Sequence, residues 1–517
     1  MIYVTYTMWV TVFILTLLTL WIIRLLTRTR TLPPLPPGPS GIPVFGNLLS
    51  LSPELHSYFA TLARIHGPIL SLRLGSKFAV VISSPALAKE VLRDHDVTFA
   101  NHDVPAAARA ASYGGHDIVW NPYGPEWRLL RKVCVREMLC AATLDAVYGI
   151  RRREIRRTIG YIRSRVGSAV NLGEQMFLTT MNVVMGMLWG SGGAVEGEEE
   201  RESRGREFRR VVAEMTGQFA KPNISDFYPG LARFDLQGIE KKVKGCAERF
   251  DGIFEKVIEQ RMKMGGHGEE REKDFLEVLL RMKDEYEEVD DDGNGNGKVP
   301  FTMTHLKALL MDMVVGGTDT TSNTVEFAMA EILNKPEVLS KVQEELDTVV
   351  GKESIVEEHH IHKLPYLLAV MKETLRLHPV LPLMVPHCPS KSCVIGGYTI
   401  PKGTRVFVNV WAIHRDPSIW VNPLEFDPAR FLNAKFDFSG NDFSYLPFGS
   451  GRRSCAGITM AERMVLFSLA SILHSFDWKL PEGEQLNLEE KFGIVLSKRV
   501  PLTLISEPRL SNPSLYE

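Results

Sequence analysis

Leu306–Leu333 runs without proline and is closed by Asn334-Lys335-Pro336, so it reads as one long helix. At about 1.5 Å per residue such a helix runs on the order of 40 Å, enough to cross a whole domain. A chain organised around it must be a large helical body, and the rest of the pattern agrees. Strand-like runs are short: Ile69–Leu74, Phe78–Ile82 and Arg405–Val410. The expected fold is mostly α with a small β portion. With 517 residues, 44% of them hydrophobic, the chain can bury a large core.

The start of the chain has a different character. From Ile2 to Ile23 there is no charge, and Trp9–Ile23 is almost wholly apolar. That approaches the ~20 residues a helix needs to cross the hydrocarbon layer. Arg24, Arg28 and Arg30 follow, which predicts that the C-terminal side stays cytoplasmic. The basic start and small-residue cleavage site of a signal peptide are not visible. Residues 1–26 are therefore expected to form one N-terminal transmembrane helix. A basic, proline-rich hinge follows over 27–39, and Leu32-Pro33-Pro34-Leu35-Pro36-Pro37-Gly38-Pro39 makes it a stiff strut. The body is placed at 40–508 and a C-terminal tail at 509–517. Two acidic, glycine-rich stretches, Gly192–Arg204 and Asp284–Lys298, read as solvated surface loops. The second opens like a calcium-binding loop, but Phe301 stands where the bidentate Glu belongs, so calcium is dismissed.

Lys and Arg total 60 against 62 Asp and Glu, which gives no global pull toward nucleic acid. The cysteines are Cys134, Cys140, Cys246, Cys388, Cys393 and Cys455, with no C-x-x-C pair. That pattern points to neither a disulfide framework nor a structural zinc site. Five of them read as ordinary buried thiols. Cys455 stands apart.

It sits in Phe448-Gly449-Ser450-Gly451-Arg452-Arg453-Ser454-Cys455-Ala456-Gly457. The glycines let the backbone turn tightly and approach a flat ligand, and Arg453 can meet a carboxylate beside it. A helical apolar stretch, Ile458 to Phe476, follows, and a helix N-terminus stabilises a thiolate. Upstream, Glu373 and Arg376 lie on one helix face and can pair. Gly316-Gly317-Thr318-Asp319-Thr320-Thr321 falls mid-way along the long helix, where glycines and hydroxyls should weaken or widen it. Trp127 and Arg131 lie about 40° apart on a helix, and Arg128, Lys132 and Arg136 form a stripe of about 80° beside them.

The cysteine loop resembles the haem-binding loop of the cytochrome P-450 family, Phe-x-x-Gly-x-Arg-x-Cys-x-Gly, matched at Phe448, Gly451, Arg453, Cys455 and Gly457. The resemblance covers essentially the whole chain, with further motifs in the family's order. It implies the cytochrome P-450 fold, with 40–508 as a haem-thiolate catalytic domain. The implied cofactor is haem b, its iron held axially by Cys455. Glu373 and Arg376 would lock with Arg430 in a structural role, although Ala429 replaces the family's usual glutamate. Asp319 and Thr320 would deliver protons to dioxygen. Trp127, Arg131, Arg453 and His387 would hold the haem propionates.

The implied activity is a monooxygenase that uses dioxygen and electrons from NADPH. No G-x-G-x-x-G lies between a strand and a helix, so the cytochrome P-450 reductase must be a separate protein. The Arg128, Lys132, Arg136 stripe is its expected docking surface, set against a plain solvated face. Pocket walls are expected from Ala110–Ile118, Asp312–Gly316, Leu381–Met384 and Gly493–Val495, with Tyr113, Val315, Gly316, Leu381, Leu383 and Ile494 named within them. These stretches are largely apolar and suit a lipophilic small molecule. The hinge and motifs look like plant microsomal members, which implies the endoplasmic reticulum membrane, single-pass, with a cytoplasmic catalytic domain. Tyr113–Trp120 is similar to a plant group acting on sesquiterpenes or flavonoids. The expectation leans to a sesquiterpenoid or other terpenoid, with a flavonoid or other phenolic as the alternative. A haem-thiolate dehydratase or isomerase would not need O2, but such relatives often lose the acid–threonine pair.

Overall fold

The computed structural model describes residues 33–190, 198–263, 274–291, 299–433 and 436–517, together with positions 9, 12, 16 and 19. The expected membrane anchor over 1–26 lies, but for those four positions, outside the described residues. Among the described residues, no helix is long and apolar enough to cross a membrane. The helices that position the site are α1 (Pro125–Val133), α2 (Leu172–Trp189), α3 (Glu198–Phe219), α4 (Ile239–Lys263), α5 (Phe275–Asp291), α6 (Met303–Asn334), α7 (Pro365–Leu377) and α8 (Ile458–Ser475).

α6 is the long helix. Thr302 caps it: its Oγ1 accepts from the His305 amide, while the Thr302 amide donates to His305 Nδ1 at 3.1 Å. The expected weakening at Gly316-Gly317 is corrected, because α6 continues through it without a break. Thr318, Thr320 and Thr324 each donate to the carbonyl four residues back at 2.8 Å, so the hydroxyls stay within the helix. Gly317 serves close packing instead: a Cβ there would lie 2.9 Å from Val184 on α2.

Two hydrophobic cores meet on α6. Its first half, including Leu306, Leu310 and Val314, packs with α2, α3, α4 and α5. Its second half, including Val325, Met329 and Ile332, packs with α7 and α8. Residues 315–324 bridge the two, which is where a ligand can be placed between well-packed walls.

The main sheet has five strands: β1 (Ile69–Leu74), β2 (Lys77–Ile82), β3 (Asn101–His102), β4 (His387–Cys388) and β5 (Arg405–Val408), in the spatial order β1-β2-β5-β4-β3. β1 and β2 are antiparallel, with Ile69 opposite Ile82, and β2 and β5 run parallel, with Ala79 opposite Arg405. β5 ends before the expected Val410 because the Asn409 side chain accepts from the Ala412 amide and starts a helical turn.

The proline strut lies along this body. The Pro33 and Pro34 carbonyls accept from Thr399, and those of Pro36 and Pro37 from Ser71. The two acidic stretches also need correction. Residues 198–204 belong to α3 and 284–291 to α5, while 192–197 and 292–298 lie outside the described residues. Glu is a good helix former, so a high charge did not mean an irregular backbone. At the other end Tyr516 is buried, its hydroxyl donating to the Ser475 carbonyl at 2.9 Å.

Candidate active site

The cysteine loop is built by its glycines. Gly449 and Gly451 have φ of +72° and +68°, and a Cβ on Gly451 would fall 2.3 Å from the Leu92 carbonyl oxygen. Only glycine is comfortable there. The Cys455 amide donates to the Phe448 carbonyl at 2.9 Å, and the Gly457 amide donates to Cys455 Sγ at 3.3 Å. α8 begins at the next residue, Ile458. The Phe448 ring meets Phe438 edge-on at 5.1 Å and seats the loop on the core of α7 and α8.

Burial pushes the Cys455 thiol up, while the Gly457 amide and the Arg131 charge pull it down. Yet Cys455 has open surface. A side chain combines enclosure with open surface when it faces an internal hollow instead of bulk solvent. Gly316, mid-way along α6, is likewise open although Val314 and Thr318 beside it are buried. Val315, Ala456 and Met460 edge the same hydrophobic core.

Two guanidinium groups stand beside the cysteine. Arg131, from α1, donates through Nη2 to the Ser454 carbonyl at 2.6 Å. Arg453 donates to the carbonyls of Ala100 at 2.5 Å, Ile118 at 3.0 Å and Asn121 at 2.5 Å. Its guanidinium lies 4.5 Å over the Trp127 ring, and Trp127 Nε1 donates to the Ile118 carbonyl at 3.0 Å. Among the described residues neither arginine has a carboxylate within ion-pair distance. Burial pushes both down, Arg453 to about 10, so both stay charged at neutral pH. Two enclosed cations with no carboxylate in contact, next to a sulfur with open surface, fit a flat ligand that carries carboxylates and a metal.

His387 needs correction as a cationic partner. Its Nδ1 faces the Phe99 carbonyl at 2.8 Å, and burial, with the Arg453 charge adding, holds it down to about 4. It is neutral here, and with Nδ1–H on Phe99 its Nε2 presents a lone pair. It can donate to a carboxylate only after taking up a second proton.

The Glu373 group is complete in itself. Arg376 Nε and Nη2 donate to the two Glu373 oxygens at 2.7 and 2.8 Å, with both side chains fully buried. Arg430 Nε adds a donor to Glu373 at 3.2 Å and the Asp427 amide another at 2.8 Å. Remaining Arg376 protons go to the carbonyls of His414, Pro423 and Glu425. Ala429 leaves this arrangement intact.

Asp319 and Thr320 are neighbours on α6, but their side chains are not bonded to each other. Asn323 Nδ2 donates to Asp319 Oδ1 at 3.1 Å, and Thr320 Oγ1 donates to the Gly316 carbonyl at 2.8 Å. Burial pushes the Asp319 carboxyl up, against the Arg209 charge and the Asn323 amide.

A cavity behind the sheet is lined by Phe59, Trp120, Phe219, Phe227, Phe407 and Phe492, with Leu383, Met384, Gly493 and Ile494 from the expected walls. Leu381, Val315 and Gly316 are not part of its lining. Tyr113 is turned elsewhere, its hydroxyl donating to Asp251 on α4 at 2.8 Å, so it is no wall of this cavity. Sequence reasoning missed His102 and Asn323, and it named Asp312 only as the start of an expected wall without its bond to Ile118. His102 reaches the Val119 carbonyl at 2.6 Å and lies 5.2 Å from the His387 ring. Asp312 accepts from the Ile118 amide at 2.8 Å, and Asn323 holds Asp319. Each is defined by a partner that only the folded chain brings near, and no local pattern marks it.

The sequence profile of cytochrome P450 matches residues 36–505. This chain belongs to the cytochrome P450 family. A flavonoid 3'-monooxygenase from Crocosmia x crocosmiiflora is 40% identical over 507 residues, covering 96% of this chain and 97% of the relative. A geraniol 8-hydroxylase from Swertia mussotii is 38% identical, covering 92% of this chain and 94% of the relative. Among solved structures, a zebra fish cytochrome P450 with progesterone superposes with a TM-score of 0.73 at 26% identity, over 88% of this chain and 99% of that one. The chain is thus a cytochrome P450 monooxygenase of the plant type, and such enzymes use haem iron with electrons from a reductase.

Proposed function

We propose that Cys455 would supply the sulfur ligand to the iron of haem b, and that Arg131, Arg453 and Trp127 would hold its propionate side. The observation that carries this is the pair of enclosed guanidinium groups, neither in ion-pair contact with a carboxylate, beside a sulfur with open surface. When bound, haem supplies dioxygen activation and oxygen insertion, with the thiolate favouring O–O cleavage. Phe448, Gly451 and Gly457 shape the loop, and the Gly457 amide holds charge on the sulfur. His387 joins the propionate side only once an anion draws a second proton onto it. Asp319, its carboxyl pushed up by burial, is placed to take up and hand on a proton, and Thr320 passes one on after leaving the Gly316 carbonyl. Because the two side chains do not touch, a water molecule must link them.

NADPH-derived electrons arrive through a separate cytochrome P-450 reductase. An anchor over residues 1–26 places the protein on the endoplasmic reticulum membrane with its body in the cytoplasm. The substrate reading favours a flavonoid or related phenolic over the terpenoid first expected. Six aromatic side chains line the cavity, with Asp103, Asp226 and Arg405 at its polar edge. The lining of this cavity includes neither Cys455 nor Gly316, and its aromatic surface would accept a planar aromatic with hydroxyl groups on its way to the cysteine. The flavonoid 3'-monooxygenase relative supports the same choice.

Two measurements test this. Cys455→Ser should abolish the thiolate-type absorption of the reduced, carbon monoxide-treated protein; an unchanged spectrum removes the ligand assignment. Spectral titration of the wild type with flavonoids and sesquiterpenes should give tight saturable shifts with the flavonoids alone. Tight shifts with the sesquiterpenes only would restore the terpenoid reading.

A further inference from the structure

Away from the cysteine, Glu126 in the first turn of α1 gathers an unusual set of donors on one oxygen. Its Oε1 is 2.7 Å from His116 Nδ1, 2.7 Å from Asn121 Nδ2 and 3.1 Å from His305 Nε2. Among the described residues Oε2 has no hydrogen-bond partner. The two imidazole nitrogens and the carboxylate oxygen all lie within 4.8 Å of one another. They come from three different parts of the chain: the loop after Ala111, the start of α1 and the start of α6.

We propose that His116, Glu126 and His305 form a binding site for a divalent transition-metal ion of the zinc type, with water completing the coordination. Zinc takes imidazole nitrogen at about 2.0–2.1 Å and carboxylate oxygen at about 2.0–2.2 Å in a tetrahedral arrangement. The ligands therefore have to close in on the ion, and the chain permits it. His116 is exposed and follows Gly114 and Gly115, both at positive φ, with open space around the Gly115 Cβ position. Glu126 and His305 stand on helix ends and supply the fixed side. Glu126 is only half-buried, which leaves the ion a way in and a place for water.

The tautomers also allow it. The Thr302 amide donates to His305 Nδ1, so in the metal-free state the His305 proton sits on Nε2, toward Glu126. A metal replaces that proton; Nδ1–H then donates to Thr302 Oγ1, 3.0 Å away, and the Thr302 amide gives up its bond to Nδ1. An outer hydrogen-bond acceptor of this kind is the usual companion of a ligating histidine.

The site has a direct route to the active centre. His116 is followed by Asp117 and Ile118; the Ile118 amide is held by Asp312 of α6, and its carbonyl receives Trp127 and Arg453. A metal at His116 ties this loop to α1 and α6 together. It restrains one wall of the haem site and slows substrate passage, with no cysteine involved.

The test uses the full-length, haem-loaded protein in detergent, dialysed against buffered free zinc chloride, with bound metal counted by mass spectrometry. One zinc per chain is expected. His116→Ala and Glu126→Gln should each weaken binding at least about tenfold, as loss of one of three protein ligands requires. The double variant His359→Ala/His362→Ala removes imidazoles from another exposed stretch and should leave that zinc in place. Zinc should also slow amide hydrogen exchange at residues 112–121 in the wild type and not in His116→Ala. The carbon monoxide spectrum reports that each variant remains folded around haem. Stoichiometric zinc persisting in both His116→Ala and Glu126→Gln, or lost only from the His359/His362 variant, overturns the proposal.

Discussion

Two arginine groups flank the core of this enzyme with nearly the same chemistry and opposite states of completion. Arg376 and Arg430 converge on Glu373, fully buried, and every strong acceptor they need is in the chain. Arg131 and Arg453 are also enclosed, but they are held by backbone carbonyls, and no carboxylate among the described residues lies within ion-pair distance, Asp117 acting on Arg453 only from farther off. Carbonyl dipoles satisfy hydrogen bonds without neutralising a cation. The first group is a lock that closes on folding. The second is a socket that is finished only when an anion arrives.

The largest expected effect breaks the lock. Glu373→Ala leaves buried guanidinium without its counter-charge, a change that costs roughly 3–5 kcal/mol. Haem-loaded protein should then scarcely be recovered after expression. Arg453→Ala is gentler and different in kind. The haem-free chain should lose less stability to denaturant than with Glu373→Ala, since the partners lost are the carbonyls of Ala100, Ile118 and Asn121 and the Trp127 ring, not a paired carboxylate. Haem affinity should fall by roughly 1.5–3 kcal/mol, the range of a hydrogen bond to a charged group. Haem transfer to an acceptor protein measures this. Equal destabilisation of the haem-free chain by both variants would erase the distinction between lock and socket.

pH sharpens the same contrast. His414 sits inside the lock, where its carbonyl accepts from Arg376 and its Nε2 accepts from the Leu446 amide at 2.8 Å. Burial, with Arg376 and Arg415 adding, pushes it down to about 3. In the unfolded chain a histidine titrates near 6.5. Below that pH the unfolded chain takes a proton that the folded state refuses. The contribution of His414 is thus complete above about pH 6.5 and is lost as pH falls toward 3, by about 1.4 kcal/mol per unit. Urea titrations at pH 6.5 and 5.5 should show a smaller drop for His414→Gln than for the wild type. An identical slope would mean that His414 does not carry the term.

What could be read from the sequence divides along the same line. The cysteine loop was legible because its requirements lie within nine residues: glycines where the backbone turns left-handed, an arginine, a sulfur and a following helix. Glu373 and Arg376 were legible as a helical pair, and Arg430 only through the family's pattern. His102, Asp312 and Asn323 carried no local mark, because their partners are set by tertiary packing. Tyr113 was named from the family's pattern alone; its hydroxyl bond to Asp251 and its φ of +50° after the helical turn Ala106–Ala111 came only with the fold. The acidic stretches failed for another reason, since charge reports solvent and says little about backbone when the residues are Glu and Arg.

A third set of cations completes the series and carries the smallest prediction. Arg128, Lys132 and Arg136 lie along α1 and the turn that continues it, on the outside of the wall that holds Trp127 and Arg131. All three are exposed, and among the described residues none has a carboxylate within ion-pair distance. In water such charges contribute little to stability, and their effect on a partner is mainly on encounter. Arg128→Glu/Lys132→Glu should therefore leave stability within about 0.5 kcal/mol and keep haem in place. It should slow electron transfer from the reductase several-fold at low salt. The deficit should shrink as salt rises past about 0.15 M, where the screening length is about 8 Å. Stopped-flow reduction over a salt series measures it. An unchanged rate at low salt would show that the open charge on α1 is a solvated face and that the donor docks elsewhere.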